Sequence, residues 1–140
     1  MKKYEGGSVD LVKSDCGVAH VILNNPERRN AMSGSMMVDF LEVNFAKCSE
    51  EGFRYENSPP ILQVVEELET WTDGVALILR GAENEANTFC SGGDLNTVHK
   101  IKGPEMGFRM SVLMNEATER LMRLPLVSTC LIQVRIIYNI

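Results

Sequence analysis

Four consecutive residues, Ser91-Gly92-Gly93-Asp94, carry the clearest chemical signal in this sequence. Two glycines let a backbone turn sharply and let a ligand come close to bare N–H groups. Asp94 is a good helix N-cap, and the segment from Asp94 to about Lys100 has the character of a short helix. A helix start presents unpaired N–H donors at the positive end of its dipole. That arrangement suits an anion, or an oxyanion that forms during a reaction. A simple turn-and-cap is the competing reading of the same residues. Neither nucleotide-phosphate signature is present, since there is no GxGxxG and no GxxxxGK(S/T). Ser91 does not sit in GxSxG, so it is not read as a hydrolase nucleophile.

The other reactive residue types are scattered. Cys16, Cys48, Cys90 and Cys130 form no CxxC pair, and only His20 and His99 could join them, so no zinc site is expected. His20 lies inside an apolar β-prone run and reads as a structural histidine with its hydrogen bonds satisfied rather than as a base. The thiols are expected to be reduced, in the cytosol.

Several elements must position the Ser91–Asp94 segment. Val9 to Val12 and Val18 to Leu23 are β-prone runs separated by Ser14, Asp15 and Gly17, which predicts a hairpin. In the second run both faces are apolar apart from His20, so burial on both sides is expected. A polar loop follows from Asn24 through Asn30. Ser33 is placed to cap a helix carrying Met36, Met37, Phe40 and Leu41. The helical pattern lapses at Asn44 and resumes from Ile61 through Leu68. Val75 to Leu79 reads as a strand, and Glu105 to Leu124 as a long amphipathic helix with a methionine-rich core stripe. Pro125 ends that helix, and Leu126 to Val134 reads as a further buried strand. The order is that of an α/β fold with crossover helices.

Composition narrows the partners. The 140 residues include 14 Lys+Arg and 19 Asp+Glu, a formal charge of −5, with no basic block. Nucleic acid and anionic membrane surfaces are therefore not expected partners. No apolar run follows the first residues, and the stretch from Leu124 to Val134 is too short to span a bilayer.

Three segments, in order, resemble a known family. Leu23-Asn24-Asn25-Pro26-Glu27-Arg28-Arg29-Asn30-Ala31-Met32-Ser33 resembles the N-terminal signature of the crotonase (enoyl-CoA hydratase/isomerase) superfamily. Gly74 to Gly81 resembles its next strand, and Phe89-Cys90-Ser91-Gly92-Gly93-Asp94-Leu95 its first oxyanion-hole loop. Within that superfamily, Trp71-Thr72, Arg80-Gly81-Ala82, Asp94-Leu95-Asn96 and the run from Leu121 to Leu126 are most similar to a carboxy-lyase branch. That branch removes carbon dioxide from ethylmalonyl and methylmalonyl thioesters of coenzyme A, as metabolite repair. The resemblance covers residues 9–43 and 64–133.

The resemblance implies an α/β, crotonase-like spiral fold of (ββα) type, with residues 1–140 forming its N-terminal portion. It implies that the Gly93 N–H is an oxyanion donor to the thioester oxygen. Arg29 would lie near the CoA phosphates, Ala31 and Ser91 would line the adenine or pantetheine path, and Asp94 would adjoin the CoA. The acyl-CoA is substrate, no metal or other cofactor is implied, and relatives of this type form homo-oligomers, trimers or hexamers. Two stretches depart from the family. Residues 44–63 read as an inserted, bulged surface loop, and 134–140 diverge where the family has the glycine-rich run of its second donor. The expectation is a truncated variant with little or no activity of its own. The alternatives are a non-catalytic fragment that at most joins full-length subunits, or an enoyl-CoA hydratase/isomerase relative.

Overall fold

A computed structural model describes residues 6–37, 48–49, 52–53 and 59–132. The β-prone runs at the start form the expected hairpin, β1 (Ser8–Lys13) and β2 (Val18–Asn24), paired antiparallel with Val9 opposite Leu23. A 3₁₀ turn (Pro26–Arg28) and a short α1 (Gly34–Met37) follow. The Ser33 hydroxyl accepts from the Met36 N–H at 3.4 Å, so the predicted cap is present. Phe40 and Leu41, assigned to the same helix from sequence, lie outside the described residues.

Two short strands, β3 (Cys48–Ser49) and β4 (Gly52–Phe53), pair antiparallel. They fall within 44–63, as does the start of α2 (Pro60–Glu69). Ile61 to Gln63 are therefore helical rather than part of a surface loop, and the Leu62 side chain is fully buried. Then come β5 (Ala76–Gly81), α3 (Leu95–Lys100), α4 (Pro104–Arg123) and β6 (Val127–Leu131).

The strand order is β1-β2-β5-β6, with β2–β5 and β5–β6 parallel. One face of this sheet meets the helices. Val9, Ala19, Val21, Leu23 and Leu77 pack there with Met36, Met37, Leu62, Leu68, Leu113 and Ala117. Met110 and Met114 of α4 join the same cluster, as their stripe predicted. A bidentate pair ties α4 to α2: Arg120 Nε donates to Glu69 Oε1 at 2.8 Å and Nη2 to Oε2 at 2.6 Å. The Arg120 guanidinium holds the Glu69 carboxyl below the usual carboxylate range.

Three expectations need correction. β2 is fully buried on one face only, since Val18, His20 and Ile22 on the other are half-buried. His20 is not satisfied, because its buried Nδ1 has no partner among the described residues. β6 is an exposed edge strand rather than a buried one, with Val127 at 74% exposure. An apolar strand sequence reports what the strand can bury; among the described residues β6 pairs with β5 alone and is exposed along its length.

Candidate functional site

Two loops meet at the ends of β2 and β5. The first, residues 25–33, is built around Asn30, which is fully buried with φ +55°. Asparagine tolerates this left-handed conformation better than most residues. Its side chain accepts from the Asn25 N–H at 3.1 Å and donates to the Ala82 and Thr88 carbonyls at 2.8 and 3.0 Å. One side chain thus ties the first loop to the loop that leaves β5. Gly81 allows the approach: a Cβ there would lie 2.4 Å from the Phe89 carbonyl oxygen and 2.6 Å from Asn30 Nδ2.

The second loop, 89–94, is fastened along the first like a short strand. Ser91 N–H donates to Arg29 O at 3.1 Å, Met32 N–H to Gly92 O at 2.8 Å, and Asp94 N–H to Met32 O at 2.9 Å. These form a parallel bridge between Met32 and Gly93. In such a bridge the central residue's own N–H points away from the partner. The Gly93 N–H accordingly donates to nothing among the described residues, and Gly93 is exposed. Gly92 turns the chain into position at φ +100°.

Asp94 then caps α3, as its residue type predicted. Its Oδ2 accepts from the Thr97 N–H at 3.1 Å and from the Thr97 hydroxyl at 3.3 Å. Its other oxygen accepts from Arg28 Nη1 at 3.1 Å. Thr97 in turn accepts from the Gly34 N–H at 2.8 Å, which joins α3 to the start of α1. The turn-and-cap reading and the donor reading therefore hold together: Asp94 is the cap, and Gly93 is the unpaired donor beside it.

The other sequence candidates divide. Ser91 is exposed on the loop surface, with its hydroxyl donating to Arg28 O at 3.2 Å. Ala31 lies beneath that surface: it is 5% exposed, its N–H donates to Arg28 O, and its carbonyl accepts from Asn25 Nδ2. Asp94 is 8% exposed with its carboxylate committed to Thr97 and Arg28, so it shapes the loop rather than facing a ligand. Arg29 lies apart from Gly93. It lines an open depression of about 1000 Å³ with Glu27, Glu83, Glu85, Asn84 and Asn87. Sequence reasoning passed over Arg28, Asn30 and Thr97. The adjacent pair Arg28-Arg29 was the available signal, but nothing in a run of two arginines says which one faces Gly93.

Among the described residues no group of three His, Cys, Asp or Glu could hold a metal ion, and no helix is long and apolar enough to cross a membrane.

Comparison with known proteins gives this site a context. No protein-family model matches the chain. An ethylmalonyl-CoA decarboxylase of Xenopus laevis is 44% identical over 133 residues, covering 95% of this chain and 36% of the relative. That of Homo sapiens is 41% identical over 133 residues, with the same coverage. The chain thus spans little more than a third of the length of these curated relatives. Among solved structures, an enoyl-CoA hydratase from Shewanella pealeana superposes with a TM-score of 0.68 at 18% identity, covering 92% of this chain and 40% of that one. The chain is therefore similar in sequence to the share of ethylmalonyl-CoA decarboxylases that it matches, and has the fold of crotonase-type enoyl-CoA hydratases.

Proposed function

We propose that this chain binds an acyl-CoA thioester and contributes the Gly93 N–H as an oxyanion donor in an ethylmalonyl-CoA decarboxylase-type reaction. In that reaction the bond between the α-carbon and the carboxylate breaks and carbon dioxide leaves. The bonding electrons pass into the thioester, whose oxygen becomes an enolate oxygen. A proton added at the α-carbon then gives butyryl-CoA. The charge on oxygen develops during bond breaking, so a donor already aimed at it lowers the barrier. Losing one such donor typically costs a factor of about 10²–10³.

The observation that supports this reading is the Gly93 N–H: exposed, without a partner among the described residues, and held between the Met32 N–H on the Gly92 carbonyl and the Asp94 N–H on the Met32 carbonyl. The sequence likeness to ethylmalonyl-CoA decarboxylases favours a malonyl-type thioester over other acyl groups. The likeness to hydratases is one of fold alone. A homo-oligomer is part of the same proposal. Titration with butyryl-CoA, ethylmalonyl-CoA and free coenzyme A tests the reading. Thioesters binding more tightly than the free thiol is the expected result; failure of all three to bind overturns it. Carbon dioxide release from ethylmalonyl-CoA, followed alongside, separates a catalytic chain from a binding unit.

A further inference from the structure

The Arg28 guanidinium is bonded to the residues that immediately follow Gly93. Nη1 donates to Asp94 Oδ1 at 3.1 Å. The Asn96 amide, oriented with its oxygen toward the guanidinium, accepts from Nη1 at 2.9 Å and Nη2 at 3.1 Å. The Arg28 carbonyl holds the other end of the loop by accepting the Ser91 hydroxyl. The Arg28 side chain thus grips residues 94 and 96, just past Gly93, while its backbone carbonyl holds residue 91 before it. Between those grips Gly92 and Gly93 lack side chains, and Gly92 is already in the left-handed region. The peptide that carries the Gly93 N–H is held through its Gly92 carbonyl by the Met32 N–H, and the Arg28 side chain braces the residues that follow it.

Direction matters for this donor, because hydrogen bonds weaken steeply as the angle closes below about 120°. The Arg28 side chain is half exposed, at 52%, so its pair with Asp94 contributes little to overall stability. Its effect is therefore on geometry. A role in holding CoA phosphates fits poorly, since both terminal nitrogens already have acceptors and Asp94 offsets the charge.

We propose that Arg28 is a positioning residue that fixes the Gly93 N–H for the thioester oxygen, an inference that rests on the donor role assigned to Gly93. Two ligands isolate the effect: butyryl-CoA, and the S-butyl thioether of coenzyme A, which has the same chain without the carbonyl oxygen. The native chain is expected to prefer the thioester by about fivefold, the worth of one ordinary hydrogen bond. Arg28→Gln should bring that ratio close to one while leaving thioether affinity unchanged. Arg28→Lys, which keeps the charge but not the fork, should retain part of the preference. Asn96→Ala, at an exposed position that does not threaten folding, should lower the ratio about twofold, by analogy with loss of one weak bond.

A ratio unchanged in Arg28→Gln and Asn96→Ala overturns the positioning role. Equal weakening of both ligands by Arg28→Gln also overturns it, by making Arg28 a direct CoA contact. If the native chain binds the two ligands equally, the donor role of Gly93 fails first, and the Arg28 inference falls with it.

Discussion

Replacing Asp94 with alanine removes three contacts at once, and their separate sizes can be worked out. The carboxylate accepts from the Thr97 N–H, from the Thr97 hydroxyl and from Arg28. Loss of an N-cap costs about 1 kcal/mol. Thr97 is 8% exposed, so leaving its hydroxyl without an acceptor adds about 1 kcal/mol. The half-exposed Arg28 pair adds at most about 0.5 kcal/mol. Asp94→Ala should therefore destabilise the chain by about 2–2.5 kcal/mol. Asp94→Asn keeps an acceptor for Thr97 and loses only the charge, so it should cost about 0.5 kcal/mol. In urea denaturation with a slope of about 2 kcal/mol/M, the alanine midpoint falls by about 1 M and the asparagine midpoint by about 0.25 M. A double-mutant cycle with Arg28→Gln should return a coupling near 0.5 kcal/mol. Equal losses for alanine and asparagine would show that charge, not the cap, organises the loop, and would refute this division.

Three further outcomes follow from other parts of the molecule. Gly81→Ala should cost about 1–3 kcal/mol in the same denaturation assay, because its Cβ would meet the Phe89 carbonyl and the buried Asn30 amide. The Glu69 carboxyl is held low by Arg120, so its share of stability is present above the ordinary carboxylate pKa and is lost as pH falls through the lowered value. Stability against pH should thus show an acid-side loss that Arg120→Met removes; a curve that is unchanged by that substitution counts against the pair. A hydrogen bond from Ser14, with the Val18 backbone next in effect, holds the exposed Cys16 thiol below its usual range. Iodoacetamide should therefore alkylate Cys16 faster than the exposed Cys130 near neutral pH, and Ser14→Ala should narrow the difference.

Local pattern was enough for much of this fold. β-prone runs flanking Ser14, Asp15 and Gly17 gave away β1 and β2, and the stripe of Leu113, Met114, Ala117 and Leu121 gave away α4. The Asp94 cap was legible because capping uses the neighbouring N–H groups alone. What stayed hidden depends on contacts between distant residues. Asn30 reaches Ala82 and Thr88, and Met32 bridges Gly93, across separations that no short-range pattern encodes. The same holds for the division between neighbouring arginines. Arg28 reaches Asp94 beside the left-handed turn at Arg29 and Asn30, while Arg29 lines the depression beside the loop that leaves β5. Burial of β6 was misread for a related reason: its apolar residues are a property of the strand, whereas its exposure is set by what lies beside it.

The unpaired amide of Gly93 is the centre of this account, and amide NMR of the nitrogen-15-labelled chain observes it directly. Addition of butyryl-CoA should move the Gly93 amide proton downfield, as a carbonyl oxygen becomes its acceptor, and the S-butyl thioether should leave it in place. A Gly93 resonance that stays fixed while butyryl-CoA is bound, or that moves equally with both ligands, would contradict the account.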